Sequence, residues 1–585
     1  MPLFRRFRKK MGLDESSGEE CEDASAGDLS YVGTAAYNVL RRKHNHRHHE
    51  LWNVTKGKVI RLDNTPRDAF SRDDRVDPVE GHDDWLPKRL EELISKTEEW
   101  CDILTLGPPD GMFLDAFKNG IKALCEKEFI LNRIVVRIMF GNIVGQPVNC
   151  TKIIADLVKD LPPNAGDKIK LWVGSWRKGV TWNHSKIIAV DGKYLWTGGH
   201  NFWDRHYLRK NPVNDISVEM KGNVARDGHR YANAQWAYIV KKQSTAWGRF
   251  VDRHVADCVD VPRTARVTVS EFPEGSAAEF PPLYNPKNSL LQETRLFRGP
   301  SSKSNISDPG APVITMGRYG TILKNARPSD DAFIAMFKSA KTTIRCALQD
   351  IGPICVPKTK MTVPGMVWPK AYMNAMAEAL WTKDVDVEIV LSNPGSIPDN
   401  LSLTEAQYGN GWSCVDVAAE IIKCIVEQFP DANDNHTKLR RTVKENLRVC
   451  FLKCRRGGSR YSDGSSLGLH SKHFIIDDIC CYIGSQNLYI CDLAEWGVLI
   501  DSPDAVADIK QQYWDQMWEV SYTRDDCNVN EVMDGLGINR NAVSRMSLTA
   551  YELQQTKAVM KANFKDYLDG SESDQSDAED EKEDE

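Results

Sequence analysis

The chain has 585 residues, with 76 Lys and Arg against 82 Asp and Glu, 41% hydrophobic and 27% charged. This ordinary globular balance excludes a peptide-like or wholly disordered chain, and at roughly 100–200 residues per domain it implies two to four domains, each with its own core. Fifteen cysteines, an odd number scattered from Cys21 to Cys527 without a C-x-x-C pair, argue against a disulfide scaffold and for a reduced, intracellular protein.

The first residues, MPLFRRFRKKMGLDESSGEE, are basic but lack a following apolar run, so no secretory signal peptide is expected. Phe4 and Phe7 among Arg5, Arg6, Arg8, Lys9 and Lys10 offer a short contact for an anionic membrane. Residues 1–80 are polar and unperiodic and read as a disordered arm; its His44, His46, His48 and His49 look like a basic tract rather than a metal site. The most apolar stretch, Phe129 to Val144, is broken by Arg133 and Arg137, so no transmembrane helix is expected. Pro2 and Glu585 stand where myristoylation and prenylation signals would be. Any membrane contact is therefore expected to be peripheral, and the location cytoplasmic.

From Trp85 helical and strand patterns alternate. WLPKRLEELISKTEEW has helical spacing, DILTL is a short strand, LDAFKNGIKALCEKEF a helix and RIVVRIMFG a buried strand. IKLWVGS, HSKIIAV, KYLWTG and DISVEM follow as strands, then VARDGHRYANAQWAYIVKK as a helix. Residues 266–315, rich in Pro, Ser, Gly and Asn, read as a linker or crossover. The order then returns, from helix DAFIAMFKSA and strand TIRCALQD through strands HSKHFIID and CCYIG to a closing helix, SPDAVADIKQQYWDQMWEV. The predicted fold is α/β: two similar domains over 81–265 and 316–525, with mixed sheets flanked by helices, a pseudo-twofold relation and one shared active site. Residues 526–585 form a C-terminal extension. Its end, from Ser571, holds nine acidic residues and one Lys, a net of −8 that leaves −6 + 8 = +2 elsewhere, and reads as a disordered acidic tail.

Both halves contain one motif. NHSKIIAVDGKYLWTGGHN and LHSKHFIIDDICCYIGSQN each read H-x-K, four residues, Asp, six residues, Gly, then Gly or Ser, any residue and Asn. The first copy supplies His184, Lys186, Asp191, Gly198, Gly199 and Asn201; the second supplies His470, Lys472, Asp477, Gly484, Ser485 and Asn487. Two copies sharing every offset are a poor match to coincidence. Strand positions i and i+2 share a face, so each half presents an imidazole beside an ammonium. Asp191 and Asp477 are counted with the catalytic motif, although their place before a tight turn suits a structural role. Gly199 and Ser485, where backbone can approach closely, join the Asn201 and Asn487 amides as candidate substrate-binding positions.

Paired His-Lys sets suit displacement at a phosphodiester. One imidazole attacks phosphorus to form a phosphohistidine while the other protonates the leaving alcohol and then deprotonates the incoming water or alcohol. The lysines and asparagines supply the positive charge that a metal supplies elsewhere, so no metal or other cofactor is expected. An acid follows each motif, Asp215 after the first and Glu495 after the second, as outer support that fixes the imidazole tautomers.

These residues resemble the phospholipase D superfamily, whose signature is this duplicated motif, and within it the chain is most similar to the secreted bacterial phospholipases D. The resemblance runs from about Trp85 to Tyr522 and includes WNHSK, VNDISVEM, ALQD ending at Asp350, VEIVLSNPG and YIGSQNLY. It implies two α/β domains meeting at one site, with His184 as nucleophile and His470 as acid and base. It also implies hydrolysis of phosphatidylcholine-like lipids to phosphatidic acid, and transphosphatidylation. The chain departs from the secreted enzymes in lacking their signal peptide and in adding the basic arm and acidic tail.

The expected function is thus a phospholipase D that works peripherally at a phospholipid membrane surface. The alternatives are a nuclease or phosphatidyltransferase of the same superfamily and a non-catalytic phospholipid-binding scaffold. A body of net +2 without basic aromatic runs does not suggest nucleic acid as a partner. Both motifs lie in one chain, so a monomer suffices for catalysis, and the sequence leaves the oligomeric state open. Trp182, Phe202, Trp203 and Tyr489 are candidates to line an apolar approach for acyl chains, and the loop carrying Met361, Met366 and Trp368 is a candidate lid or lipid contact.

Overall fold

The computed structural model describes residues 26–44, 50–67, 85–128, 130, 132–143, 147–208, 212–244, 265–269, 281–286, 310–320, 327–355, 361–363, 365–394, 396, 410–454, 458–461, 464–491, 493–523 and 526–538. Strands of the first half are β1 (Trp52–Thr65), β2 (Trp100–Thr105), β3 (Ile134–Gly141), β4 (Ile169–Lys178), β5 (Thr181–Trp182), β6 (Ile187–Val190), β7 (Tyr194–Gly198), β8 (Asp215–Lys221) and β9 (Ala265–Val269). Those of the second half are β10 (Ala311–Tyr319), β11 (Thr343–Leu348), β12 (Asp386–Leu391), β13 (Leu447–Phe451), β14 (Lys472–Ile476), β15 (Cys480–Gly484) and β16 (Ala494–Asp501).

They form one hydrogen-bonded path, β13-β12-β11-β14-β15-β16-β10-β1-β8-β7-β6-β2-β3-β4-β5, with β9 beside β4. Read outward from the central β10–β1 pair, the two arms match strand for strand: β16 with β8, β15 with β7, β14 with β6, β11 with β2, β12 with β3 and β13 with β4. In each arm three strands run parallel and the motif strand joins them antiparallel. The two similar α/β domains and their pseudo-twofold relation follow directly. β3 is buried along its whole length, as a parallel strand covered by helices on both faces must be.

Flanking helices include Trp85–Ser95, Gly111–Cys125, Val224–Ser244, Pro328–Ser339, Lys370–Lys383 and Cys414–Gln428. The last begins with a reciprocal box in which Ser413 accepts from the Asp416 amide and Asp416 from the Ser413 amide. A central core unites the halves, packing Leu195, Ile216 and Trp236 with Ile475, Trp496 and Tyr513, and a separate core fills each flank.

Two expected boundaries change. The arm over 1–80 contains a helix, Tyr31–His44, and all of β1. The helix buries Val32, Ala36 and Leu40, and its closing run Arg41, Arg42, Lys43 and His44 suits the negative end of the helix dipole. His44 Nε2 lies 2.8 Å from Asp331, a structural hydrogen bond, while His46, His48 and His49 lie outside the described residues. The 266–315 crossover carries most of β9 at its start and the beginning of β10 at its end. Helices Cys150–Val158, His436–Asn446 and Val529–Gly535 also escaped the sequence reading. The acidic tail, Phe4 and Phe7 lie outside the described residues.

Candidate active site

His184 stands three residues before β6 and His470 two residues before β14, so both lie just outside the strands expected to carry them. Main-chain bonds place both. The His184 amide donates to Ala494 O at 2.8 Å, and the His470 amide to Asn214 O at 2.7 Å. Ala494 precedes Glu495, and Asn214 precedes Asp215, so each histidine docks beside the acid of the opposite half. His184 Nδ1 lies 2.9 Å from Glu495 Oε2, and His470 Nδ1 lies 2.7 Å from Asp215 Oδ2. Each acid therefore serves the histidine of the other motif, not the one it follows in sequence.

The lysines lie between these pairs. Lys186 Nζ donates to its own half's His184 O at 2.6 Å, and Lys472 Nζ to His470 O and to Gln349 Oε1. All six groups are buried. Burial pushes the His184 imidazole down to about 4, with Lys186 adding to the shift and Glu495 opposing it. It pushes His470 down to about 3, again helped by the adjacent lysine. Burial lowers Lys186 to about 8 and Lys472 to about 7, against the pull of the carboxylates. Burial alone would raise both acids, but His470 and His200 hold Asp215 well below the usual carboxylate range, and His184 and Arg318 hold Glu495 low. Two carboxylates thus balance two ammoniums around two neutral imidazoles. A phosphodiester anion entering this balance favours uptake of one proton.

Asn201 and Asn487 are buried, and among the described residues the side-chain oxygen of each has no hydrogen-bond partner; the Nδ2 groups are the atoms able to donate to a phosphate oxygen. The other motif positions do different work. A Cβ on Gly199 would stand 2.0 Å from Asp215 Oδ1, so the glycine makes room for that carboxylate. Ser485 Oγ donates to Glu495 Oε2. Both therefore stand against the acids.

Asp191 and Asp477 stand at the far ends of β6 and β14 from the histidines, at φ 53° and 54° in tight turns. Asp191 accepts from the amides of Glu98, Glu99 and Trp100 at 2.8–2.9 Å, tying the start of β2. Asp477 does the same for Lys341, Thr342 and Thr343 before β11 and also accepts from Tyr31. These are structural clamps, so their inclusion among the catalytic residues is corrected. Phe202 is core, packed on Phe113 and Phe117, and Trp203 covers Gly107 and donates to Pro108 O at 2.8 Å, so neither forms a free apolar lining.

The sequence reading missed Tyr207, whose hydroxyl donates to Asp215 Oδ2 at 2.8 Å, accepts from the Asn201 amide at 3.1 Å and lies 3.4 Å from His470 Nδ1. It also missed Tyr513, which bonds Ser471 and, at 2.8 Å, Asn214 Oδ1 from a π-helical turn, Lys510–Trp514. No local pattern marks either residue: Tyr207 reaches His470 across 263 positions and Tyr513 reaches Asn214 across 299.

No family model matches the chain. A curated relative, "Phospholipase D" of Streptomyces antibioticus, is 25% identical over 466 residues, covering 74% of this chain and 77% of that one. A solved structure of phosphatidylserine synthase from Haemophilus influenzae Rd KW20 aligns with a TM-score of 0.43 and 12% identity over 91% of this chain and 98% of that one. A phospholipase D family member, Nuc from Salmonella typhimurium, aligns with a TM-score of 0.21 and 13% identity over 32% of this chain and 95% of that one. The curated relative bears out the resemblance to the phospholipase D superfamily.

Proposed function

We propose that this phosphodiesterase-type chain of the phospholipase D kind hydrolyses glycerophospholipids such as phosphatidylcholine, releasing the head-group alcohol and phosphatidic acid, and transfers the phosphatidyl group to alcohols. The observation that carries the reading is the crossed pairing of His184 with Glu495 and His470 with Asp215 around two buried lysines.

Each Nδ1 is engaged by a carboxylate, which leaves the chemistry to Nε2. His184, neutral through burial, is the nucleophile that the resemblance implies. Its Nε2 forms a bond to phosphorus as the bond from phosphorus to the head-group oxygen breaks, and His470 gives that oxygen a proton. His470 enters this step protonated because the bound phosphodiester supplies the negative charge that the empty site lacks. Water or an alcohol then loses its proton to His470 and attacks phosphorus, breaking the phosphorus–nitrogen bond and restoring His184. Lys186, Lys472, Asn201 and Asn487 stabilise the non-bridging oxygens, where charge builds in both transition states. Asp215 and Glu495 hold the imidazole tautomers and offset the imidazolium charge.

The test is incubation of the purified protein with phosphatidylcholine vesicles, dilute ethanol and a chelator. Phosphatidylethanol is expected from the native chain and from neither His184→Ala nor His470→Ala. A native protein that leaves every phospholipid intact would overturn the lipid reading and direct the search to oligonucleotides and other phosphodiesters.

A further inference from the structure

Six large hydrophobic side chains are exposed among the described residues: Ile60, Met112, Val180, Met361, Val367 and Val415. Scattered singly, such residues need no explanation. Five of these six instead lie in loops and helix starts at one end of the sheet. Met112 follows β2, in the first turn of helix Gly111–Cys125, where its amide donates to Asp204, three residues beyond Asn201. Val180 tips the turn between β4 and β5, which leads straight into His184. Met361 and Val367 belong to the excursion after β11, beside Gln349, which meets Lys472. Val415 follows β12, next to Trp412, whose ring packs 4.8 Å from Trp368 and whose Nε1 donates to Pro353 O at 2.7 Å. All five stand beyond the carboxyl ends of strands, the end at which the histidines lie, and both halves contribute.

We infer that Met112, Val180, Met361, Val367 and Val415 form an apolar rim that seats the active-site opening on a phospholipid bilayer, their side chains entering the boundary between head groups and acyl chains. This rests on the proposed lipid substrate and names the surface through which that substrate is reached. The scissile phosphodiester of a lipid lies at head-group depth, while the catalytic groups are buried. The rim must therefore descend past the phosphates before His184 can meet phosphorus. At that depth apolar side chains are favoured and charged ones are not. A nucleic-acid substrate would instead call for basic side chains at these positions. Asp350, accepting from the Ile351, Gly352 and Asn410 amides, anchors the second-half loops so that Trp412 covers Gly352 and packs on Trp368, the residue after Val367.

The full-length chain carrying Val180→Asp, Met361→Asp and Val367→Asp tests the inference, with Ile60→Asp as an off-rim control. Vesicle binding is read by co-sedimentation with phosphatidylcholine vesicles in a His184→Ala background, and turnover on the same vesicles and on dissolved monomeric dihexanoylphosphatidylcholine. The rim variant should bind and hydrolyse vesicles at least about tenfold less well than native protein, as expected for losing several buried apolar side chains. It should keep its turnover of the monomeric lipid, and Ile60→Asp should behave as native. Undiminished vesicle binding in the rim variant, or equal loss in Ile60→Asp, would overturn the inference. If the native chain cleaves neither form of lipid the proposed function falls, whereas co-sedimentation still decides the rim. Val180→Asp alone, with a weaker effect in the same direction, guards against misfolding of the triple variant.

Discussion

At the residue scale, the same carboxylate chemistry performs two unrelated tasks. Asp215 and Glu495 orient histidines, whereas Asp191 and Asp477, although part of the motif, hold main-chain amides at strand starts. Asn tolerates the positive φ of both turns, so Asp191→Asn and Asp477→Asn remove the charge without straining the backbone. Each should lower stability by about 1–3 kcal/mol, read from the denaturant midpoint, while leaving kcat close to native. A collapse of kcat at unchanged stability would return these residues to the catalytic set. The lowered lysines make a second prediction. Lys186 and Lys472 lose their protons near pH 8 and pH 7 in the empty site, and a bound phosphodiester holds those protons on. As pH rises through this window the free enzyme loses its attraction for the anion, so kcat/KM should fall by up to about tenfold per unit while kcat changes little. A flat kcat/KM from pH 6 to 9 would contradict this.

At the scale of elements, the helix Tyr31–His44 explains how a segment with little sequence signal becomes structural. It is short, rich in small residues and basic at its end, so alone it resembles a solvated arm. Its apolar stripe is completed by helix Pro328–Ser339, nearly three hundred positions later, with Lys43 and His44 both paired to Asp331. Tyr31 also reaches the clamp residue Asp477, and Ser30 N donates to Asp501 at 2.8 Å, so the helix fastens the second half just before β1 enters the centre of the sheet. Leu40→Ala, at a fully buried position, should cost about 2–5 kcal/mol in chemical unfolding. A cost below about 0.5 kcal/mol would place the helix outside the cooperative unit.

For the whole molecule, the crossed acid–histidine pairs mean that neither half holds a complete catalytic set. β1 makes the dependence physical: Trp52–Gly57 pairs with β10, and Lys58–Thr65 pairs with β8. Fragments 1–265 and 266–585 made separately should each lack turnover, and co-expression should restore it only where the two associate. Activity from either fragment alone would contradict the shared site. Glu495→Gln and His184→Ala should likewise be strongly non-additive, the double variant being scarcely worse than His184→Ala, because the acid acts through that imidazole.

Periodicity and spacing, both local properties, determined much of this protein from sequence alone. They revealed the α/β alternation, the duplication and the six groups His184, Lys186, His470, Lys472, Asp215 and Glu495 that the fold brings together. The tertiary structure decided what spacing cannot encode. Glu495 serves His184 across 311 positions and Asp215 serves His470 across 255, because the pseudo-twofold packs each motif against the opposite half's closing strand. The same long-range packing brought Tyr207 to His470 and Tyr513 to Asn214 and folded the supposed arm. Each of these depends on partners far along the chain, where neither propensity nor pattern carries information about contact.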